Sequence, residues 1–163
     1  MAQTLSSYTI QYIEPSDLAE LLLNNLDNST VVVDVRDTEE RSNLGWIKKS
    51  KHLCYYDFFD PLRSEFLKES SAATVQALLH TEASLVVFHC MLSQERGPRS
   101  ARIFAQQLIE SKLENVQSVQ AIISAPNLET IRISQIMVLR GGFNRWRDES
   151  SDSAQIHALT CGL

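Results

Sequence analysis

Features that would force a special architecture are scarce in this chain. The three cysteines, Cys54, Cys90 and Cys161, are odd in number and widely spaced, which fits neither a disulfide framework nor a zinc ribbon and leaves at least one thiol free. The four histidines, His52, His80, His89 and His157, lack HExxH or His-x3-His spacing, so a metal site is not expected. Positive charge is not in excess: 15 Lys and Arg against 20 Asp and Glu give a net charge of -5. That balance offers no overall attraction for nucleic acid or an anionic membrane. No apolar run reaches spanning length, and the start of the chain lacks the blocks of a signal peptide. A cytoplasmic monomer is expected, with the nucleus as a second compartment.

What is present is 44% hydrophobic content in 163 residues, enough for one continuous core in one domain. Tyr8 to Ile13 alternates apolar and polar residues before Pro15, which suits a short edge strand. Pro15 fits a first helical position, and Leu18, Leu21, Leu22 and Leu26 follow at helical spacing. Val31 to Val35 and Leu85 to Phe88 are apolar runs with almost no polar face, as in strands buried on both sides of a parallel sheet. Between them, Arg36 to Lys51 reads as a charged loop with a short helix and His52 to Tyr55 as a brief strand. Asp57 to Pro61 reads as a turn and Arg63 to His80 as a helix.

Beyond the second apolar run, Ala101, Phe104, Ala105 and Leu108 predict a helix from Pro98 to about Lys112. Asn115 to Ser134 is expected to be an insertion or flexible loop. A strand at Gln135 to Leu139, a turn at Gly141-Gly142 and a short helix over Phe143 to Arg147 follow. The polar segment from Asp148 to Ser153 predicts a solvated, mobile tail, so the domain is set at 1–149 and the tail at 150–163. Strands alternating with helices give a three-layer α/β fold, a central mostly parallel sheet flanked by helices. Ligands in such sheets bind beyond the carboxyl ends of the strands.

Cys90 occupies that position, directly after the Leu85 to Phe88 strand. The segment Cys90-Met91-Leu92-Ser93-Gln94-Glu95-Arg96 must wrap back to start the next helix, so its amides and those of the first helical turn can converge on an anion. There the helix field and a nearby guanidinium favour a thiolate at Cys90. Arg96 offers a planar fork for two oxygens of a tetrahedral oxyanion. The Cys-x5-Arg spacing alone is a weak signal. The strand before it and the Gly97-Pro98 helix start after it are what strengthen it.

The segment His89-Cys-Met-Leu-Ser-Gln-Glu-Arg-Gly-Pro-Arg99 resembles the active-site loop of the rhodanese-like M-phase-inducer dual-specificity phosphatases and their small relatives, the fungal rhodanese-type tyrosine phosphatases and eukaryotic arsenate reductases. Val33-Asp-Val-Arg36 with Gly45-Trp-Ile47, and Val138-Leu-Arg-Gly-Gly-Phe-Asn-Arg-Trp146, resemble that family's flanking blocks in the same order. The resemblance implies a rhodanese-like fold with Cys90 as nucleophile, Arg96 as oxyanion grip, and Met91, Leu92, Ser93, Gln94 and Glu95 as backbone donors. Five residues between cysteine and arginine resemble the phosphatase loop, since sulfurtransferase loops are one residue shorter.

Departures from the family pattern are visible too. Trp46 stands where the family usually has histidine. Val35 replaces a second cysteine that would allow disulfide protection, and Gly97 lacks the hydroxyl that other tyrosine phosphatases place after the arginine. Glu95, Asp57, Asp60, Asp148 and Glu149 are the candidate general acids, with Glu95 foremost. Asp34 and Arg36 are expected to hold neighbouring loops, and His89 to be a buried imidazole. Arg99 and Arg102 are either an attracting patch or an ordinary charged helix face, while Phe143, Arg145 and Trp146 are expected to pack the last helix.

The resemblance implies hydrolysis of phosphomonoesters, protein phosphotyrosine among them, through a phosphocysteine and without metal or organic cofactor. Arsenate reduction by the same thiolate with glutathione and glutaredoxin is the alternative. A phosphate-binding interaction domain with little turnover is a second alternative, and sulfur transfer a minor one. The partner is accordingly a phosphorylated protein or a small phosphate or arsenate oxyanion.

Overall fold

The computed structural model describes residues 10–25, 28–58, 69–120 and 134–163, with side chains omitted at 57–58, 69–72 and 112–120. Its centre is a five-stranded sheet in the order β1 (Gln11–Ile13), β6 (Gln135–Leu139), β5 (Leu85–His89), β2 (Thr30–Asp34), β4 (Lys51–His52). Every neighbouring pair is parallel. Because β2 and β5 are covered on both faces, their apolar runs have no polar period. Alternate residues supply two separate cores instead.

On one face Val33, Val86, Phe88, Ile136 and Val138 pack with Val75, Leu78 and Leu79 of α4 (Glu69–Leu79) and Ala101, Phe104, Ala105 and Leu108 of α5 (Arg96–Gln120). On the other, Val32, Leu85, Val87 and Leu139 meet Leu18 and Ala19 of α1 (Pro15–Leu23), Phe143 and Trp146 of α6 (Gly142–Ser150) and Ile156 of α7 (Ala154–Ala158). This is the expected three-layer fold. α1 starts with Pro15 in its first turn, where a missing N–H costs nothing.

The strand expected at His52 to Tyr55 ends at His52, and Tyr55 instead starts a four-residue helix, α3 (Tyr55–Phe58). Two further expectations need correction. The tail set at 150–163 is folded: α6 runs on to Ser150, and α7 follows with Ser153 as its N-cap, taking the Ile156 amide. Ile156 is 1% exposed, and β7 (Thr160–Cys161) pairs antiparallel with β3 (Trp46–Ile47). One buried isoleucine and a two-residue ladder anchor a segment whose composition is otherwise polar. Trp146 Nε1 also donates to Thr160 Oγ1 at 2.9 Å. The second correction is the helix after Cys90, which continues to Gln120 rather than ending near Lys112. Leu113, Val116 and Val119 keep a three-residue rhythm there.

Other expectations lie partly outside the described residues: Tyr8 and Thr9 of the first strand, Leu26, most of the Asp57 to Pro61 turn, Arg63 to Lys68, and 121–133. Among the described residues no helix is long and apolar enough to cross a membrane.

Candidate functional site

The carboxyl ends of β2 and β5 lie side by side, with the Val35 amide donating to the His89 carbonyl at 2.9 Å. Two loops therefore leave the sheet together, Asp34 to Asp37 and Cys90 to Glu95. Cys90 is 4% exposed and sits where the second loop begins. Its Sγ accepts the Ser93 amide at 3.2 Å, so the loop curls over the sulfur. Among the described residues, no protein acceptor takes the amides of Met91, Leu92, Gln94 or Glu95.

Three devices hold that curl. Ser93 adopts a left-handed backbone, φ 53, which costs a non-glycine residue roughly 1–2 kcal/mol. Gly97 lets the first turn of α5 close in, because a Cβ there would lie 3.3 Å from the Cys90 nitrogen and 3.4 Å from Ser93 Oγ. From the other side, the start of α6 donates the Phe143 amide to the Cys90 carbonyl and the Asn144 amide to the Met91 carbonyl, both at 2.9 Å. Gly142, at φ 63, makes this approach possible, since a Cβ would come within 2.5 Å of the Met91 carbonyl oxygen.

Arg96 opens α5 and closes the loop, and its partner was not foreseen. Its Nη1 donates to Glu40 Oε2 at 2.6 Å and its Nη2 to Glu40 Oε1 at 2.7 Å. This end-on pairing leaves the side edge of the guanidinium, Nε–H with its neighbouring Nη–H, available for two more oxygens. Glu40 is itself fixed by a capping box at the start of α2 (Thr38–Leu44): Asp37 Oδ1 takes the Glu40 amide at 2.7 Å, and Glu40 Oε2 takes the Asp37 amide at 3.1 Å. The hydrogen bonds from Arg96 hold the Glu40 carboxyl down to about 2, overcoming partial burial, and the same pairing pushes Arg96 up. The Asp-x-x-Glu spacing of Asp37 and Glu40 was a legible capping signal, although it does not by itself point to Arg96.

Beneath the loops lies a buried polar cluster. Arg36, fully buried, donates Nε to Asp34 Oδ1 at 3.0 Å and Nη2 to Asp34 Oδ2 and the Gly45 carbonyl, each at 2.7 Å. Arg41 Nη1 adds a bond to Asp34 Oδ2 at 2.9 Å. Burial opposes ionisation of Asp34, but His89 and the Arg36 guanidinium outweigh it and hold the carboxyl well below the usual range. His89 is shifted down, by burial first and by the Arg36 charge, despite the pull of Asp34. Since a carbonyl can only accept, the imidazole donates from Nδ1 to the Cys90 carbonyl at 3.2 Å. Both Asp34 and Arg36 thus hold loops, and His89 is a buried imidazole, as expected.

Among the proposed acids, Glu95 is an exposed side chain in the loop. Asp148 and Glu149 lie on α6, where Asn144 and Arg145 bind them. The Asp57 side chain and Asp60 are outside the described residues. Arg99 and Arg102 are exposed on α5, while Phe143 and Trp146 are core residues. No group of His, Cys, Asp and Glu suited to a metal occurs among the described residues.

Comparison with known proteins agrees with this architecture. The chain is 29% identical over 94% of its length to the CDC25-like phosphatase YCH1 of Saccharomyces cerevisiae, covering 95% of that protein. It is 31% identical to the dual specificity phosphatase Cdc25 of Arabidopsis thaliana, over 94% of this chain and 84% of the relative. Arsenate reductase 2.1 of Oryza sativa is also 31% identical, over 85% of this chain and 68% of the relative. Among solved structures, an As-Sb reductase from Leishmania major superposes with a TM-score of 0.62 at 25% identity, covering 93% of this chain and 85% of the other. A yeast protein tyrosine phosphatase of the rhodanese family gives 0.59 at 26% identity, covering 96% and 95%. The rhodanese-like domain matches residues 18–149, and the chain belongs to that family.

Proposed function

We propose that this protein is a cysteine-dependent phosphatase that hydrolyses phosphomonoesters, protein phosphotyrosine among them, with Cys90 as nucleophile. The observation that carries the reading is one loop holding both reacting parts: Cys90 Sγ under the Ser93 amide, and Arg96 clamped end-on by Glu40 with its side edge free. The loop amides of Met91, Leu92, Gln94 and Glu95 and that guanidinium edge take the oxyanion, whose charge spreads in the transition state, while the Ser93 amide, expected as a further donor to the anion, is held by Cys90 Sγ. The thiolate attacks phosphorus and the ester oxygen leaves with its electron pair and a proton, for which Glu95 is the candidate donor. Water then attacks the phosphocysteine. The partner is a phosphorylated protein or a small phosphate or arsenate oxyanion, and the chain acts as a monomer in the cytoplasm, with the nucleus as a second compartment. Relatives named as phosphatases support this assignment.

A second reading, arsenate reduction by the same thiolate, is supported by the relatives named as arsenate or As-Sb reductases. Phosphate and arsenate share shape and charge, so the cup does not separate them. The deciding experiment compares wild type and Cys90→Ser on p-nitrophenyl phosphate and on a panel of phosphopeptides, with competitive vanadate inhibition expected. Equal turnover by both proteins removes the phosphatase assignment. Arsenite formed from arsenate only with glutathione and glutaredoxin present selects the second reading. Phosphopeptide binding without phosphate release, unaffected by Cys90→Ser, selects a binding domain.

A further inference from the structure

Ser93 combines three observations that the packing of the loop does not explain together. Its backbone is left-handed at φ 53 although it is not glycine. Its amide is spent on Cys90 Sγ at 3.2 Å. Its hydroxyl is buried and, among the described residues, has no hydrogen-bond partner. Buried hydroxyls are almost always bonded, so an orphan one beside a reacting atom points to a partner that exists only during the reaction.

The place of that hydroxyl is defined by Gly97. The point where a residue-97 Cβ would stand lies 3.3 Å from the Cys90 nitrogen and 3.4 Å from Ser93 Oγ. Ser93 Oγ therefore lies within van der Waals reach of the point, next to the Cys90 nitrogen, that a side chain following Arg96 would occupy. With glycine at 97, no side chain after Arg96 occupies that point, and the hydroxyl belongs to the same residue whose amide already bonds the sulfur.

We propose that Ser93 stabilises the Cys90 sulfur whenever it carries negative charge, through its amide at rest and its hydroxyl as the thiolate forms or departs. This deepens the phosphatase reading and rests on it for the hydrolytic step. In that step a water oxygen bonds to phosphorus and the water proton passes to solvent. The sulfur–phosphorus bond breaks with its electron pair going to Sγ, where the Ser93 hydroxyl donates a hydrogen bond. Phosphocysteine breakdown is then the step most sensitive to the hydroxyl. Phosphoryl transfer to sulfur consumes the thiolate charge and depends on the hydroxyl less.

Ser93→Ala removes only the oxygen, and Ser93→Gly also relieves the left-handed backbone, so one folded variant is secured. Both retain the amide. With p-nitrophenyl phosphate, each variant should release a burst of p-nitrophenol close to the enzyme concentration and show a phosphoryl adduct on Cys90 by intact mass. Steady-state kcat should fall about tenfold to a hundredfold, the equivalent of one hydrogen bond to a charged atom. Unchanged kcat, or burst and steady state slowed equally with no adduct, overturns the proposal.

A substrate-free arm separates this failure from failure of the phosphatase reading. Iodoacetamide alkylation of Cys90 at a fixed, mildly acid pH should be about threefold or more slower in both variants, because thiolate is the reacting species. Equal alkylation rates overturn the role of Ser93 whatever the protein hydrolyses. Equal turnover by wild type and Cys90→Ser overturns the phosphatase reading, while slowed alkylation alongside it still supports Ser93 as the stabiliser of the sulfur.

Discussion

Replacing Glu40 with glutamine keeps its shape and removes its charge, so it isolates what the carboxylate does for Arg96. The carboxyl is held at about 2 against an ordinary 4.5, which at face value corresponds to about 3 kcal/mol. Both side chains are partly open to solvent, 21% for Arg96 and 25% for Glu40, and screening reduces the expected contribution to roughly 1–2 kcal/mol. Because the folded value is depressed, the contribution is complete above pH 4.5 and is lost as pH falls from 4.5 toward 2. Urea unfolding of wild type and Glu40→Gln should therefore differ by roughly 1–2 kcal/mol at pH 7, with a smaller gap at pH 3.5. A double-mutant cycle with Arg96→Met should assign most of the difference to the pair. A gap that is absent at neutral pH, or equally large at both pH values, would refute the reasoning. For catalysis, KM for p-nitrophenyl phosphate should rise in Glu40→Gln, since an unclamped guanidinium must be ordered by the anion itself.

Other outcomes follow from the buried parts. Asp34→Asn leaves the fully buried Arg36 without its anion and should cost about 3–5 kcal/mol, read by thermal or chemical unfolding. Gly142→Ala forces a Cβ against the Cys90 and Met91 carbonyl oxygens in a left-handed backbone; a loss of roughly 2–3 kcal/mol is expected, with lowered kcat/KM, and a variant as stable and active as wild type would contradict the placement of α6 under the loop.

The parts read most directly from sequence are those whose cause is local. Val31 to Val35 and Leu85 to Phe88 advertise a doubly covered sheet because no polar face interrupts them, and the cysteine after the second run lands at the carboxyl edge of that sheet. Glu40 could not be read this way. Its bond to Arg96 spans 56 positions, and no periodicity encodes a contact between two loops that meet only once β2 and β5 are paired. The carboxyl-terminal residues misled for a related reason: a single buried isoleucine at 156 and a two-residue strand carry too little pattern to outweigh a polar composition. Ser93 was identified as a backbone donor, whereas its orphan hydroxyl is visible only when the loop has its three-dimensional form.

The pairing of β7 with β3 has a reach beyond the edge of the molecule. β3 follows Gly45, whose carbonyl binds Arg36 and whose amide closes α2, the helix that presents Glu40. Thr160 and Cys161 thus act as a keel for the carboxylate that steadies Arg96. An affinity tag or fluorescent fusion joined straight after Leu163 would tug on that keel, whereas the same fusion set off by a flexible spacer would leave the anion cup in trim.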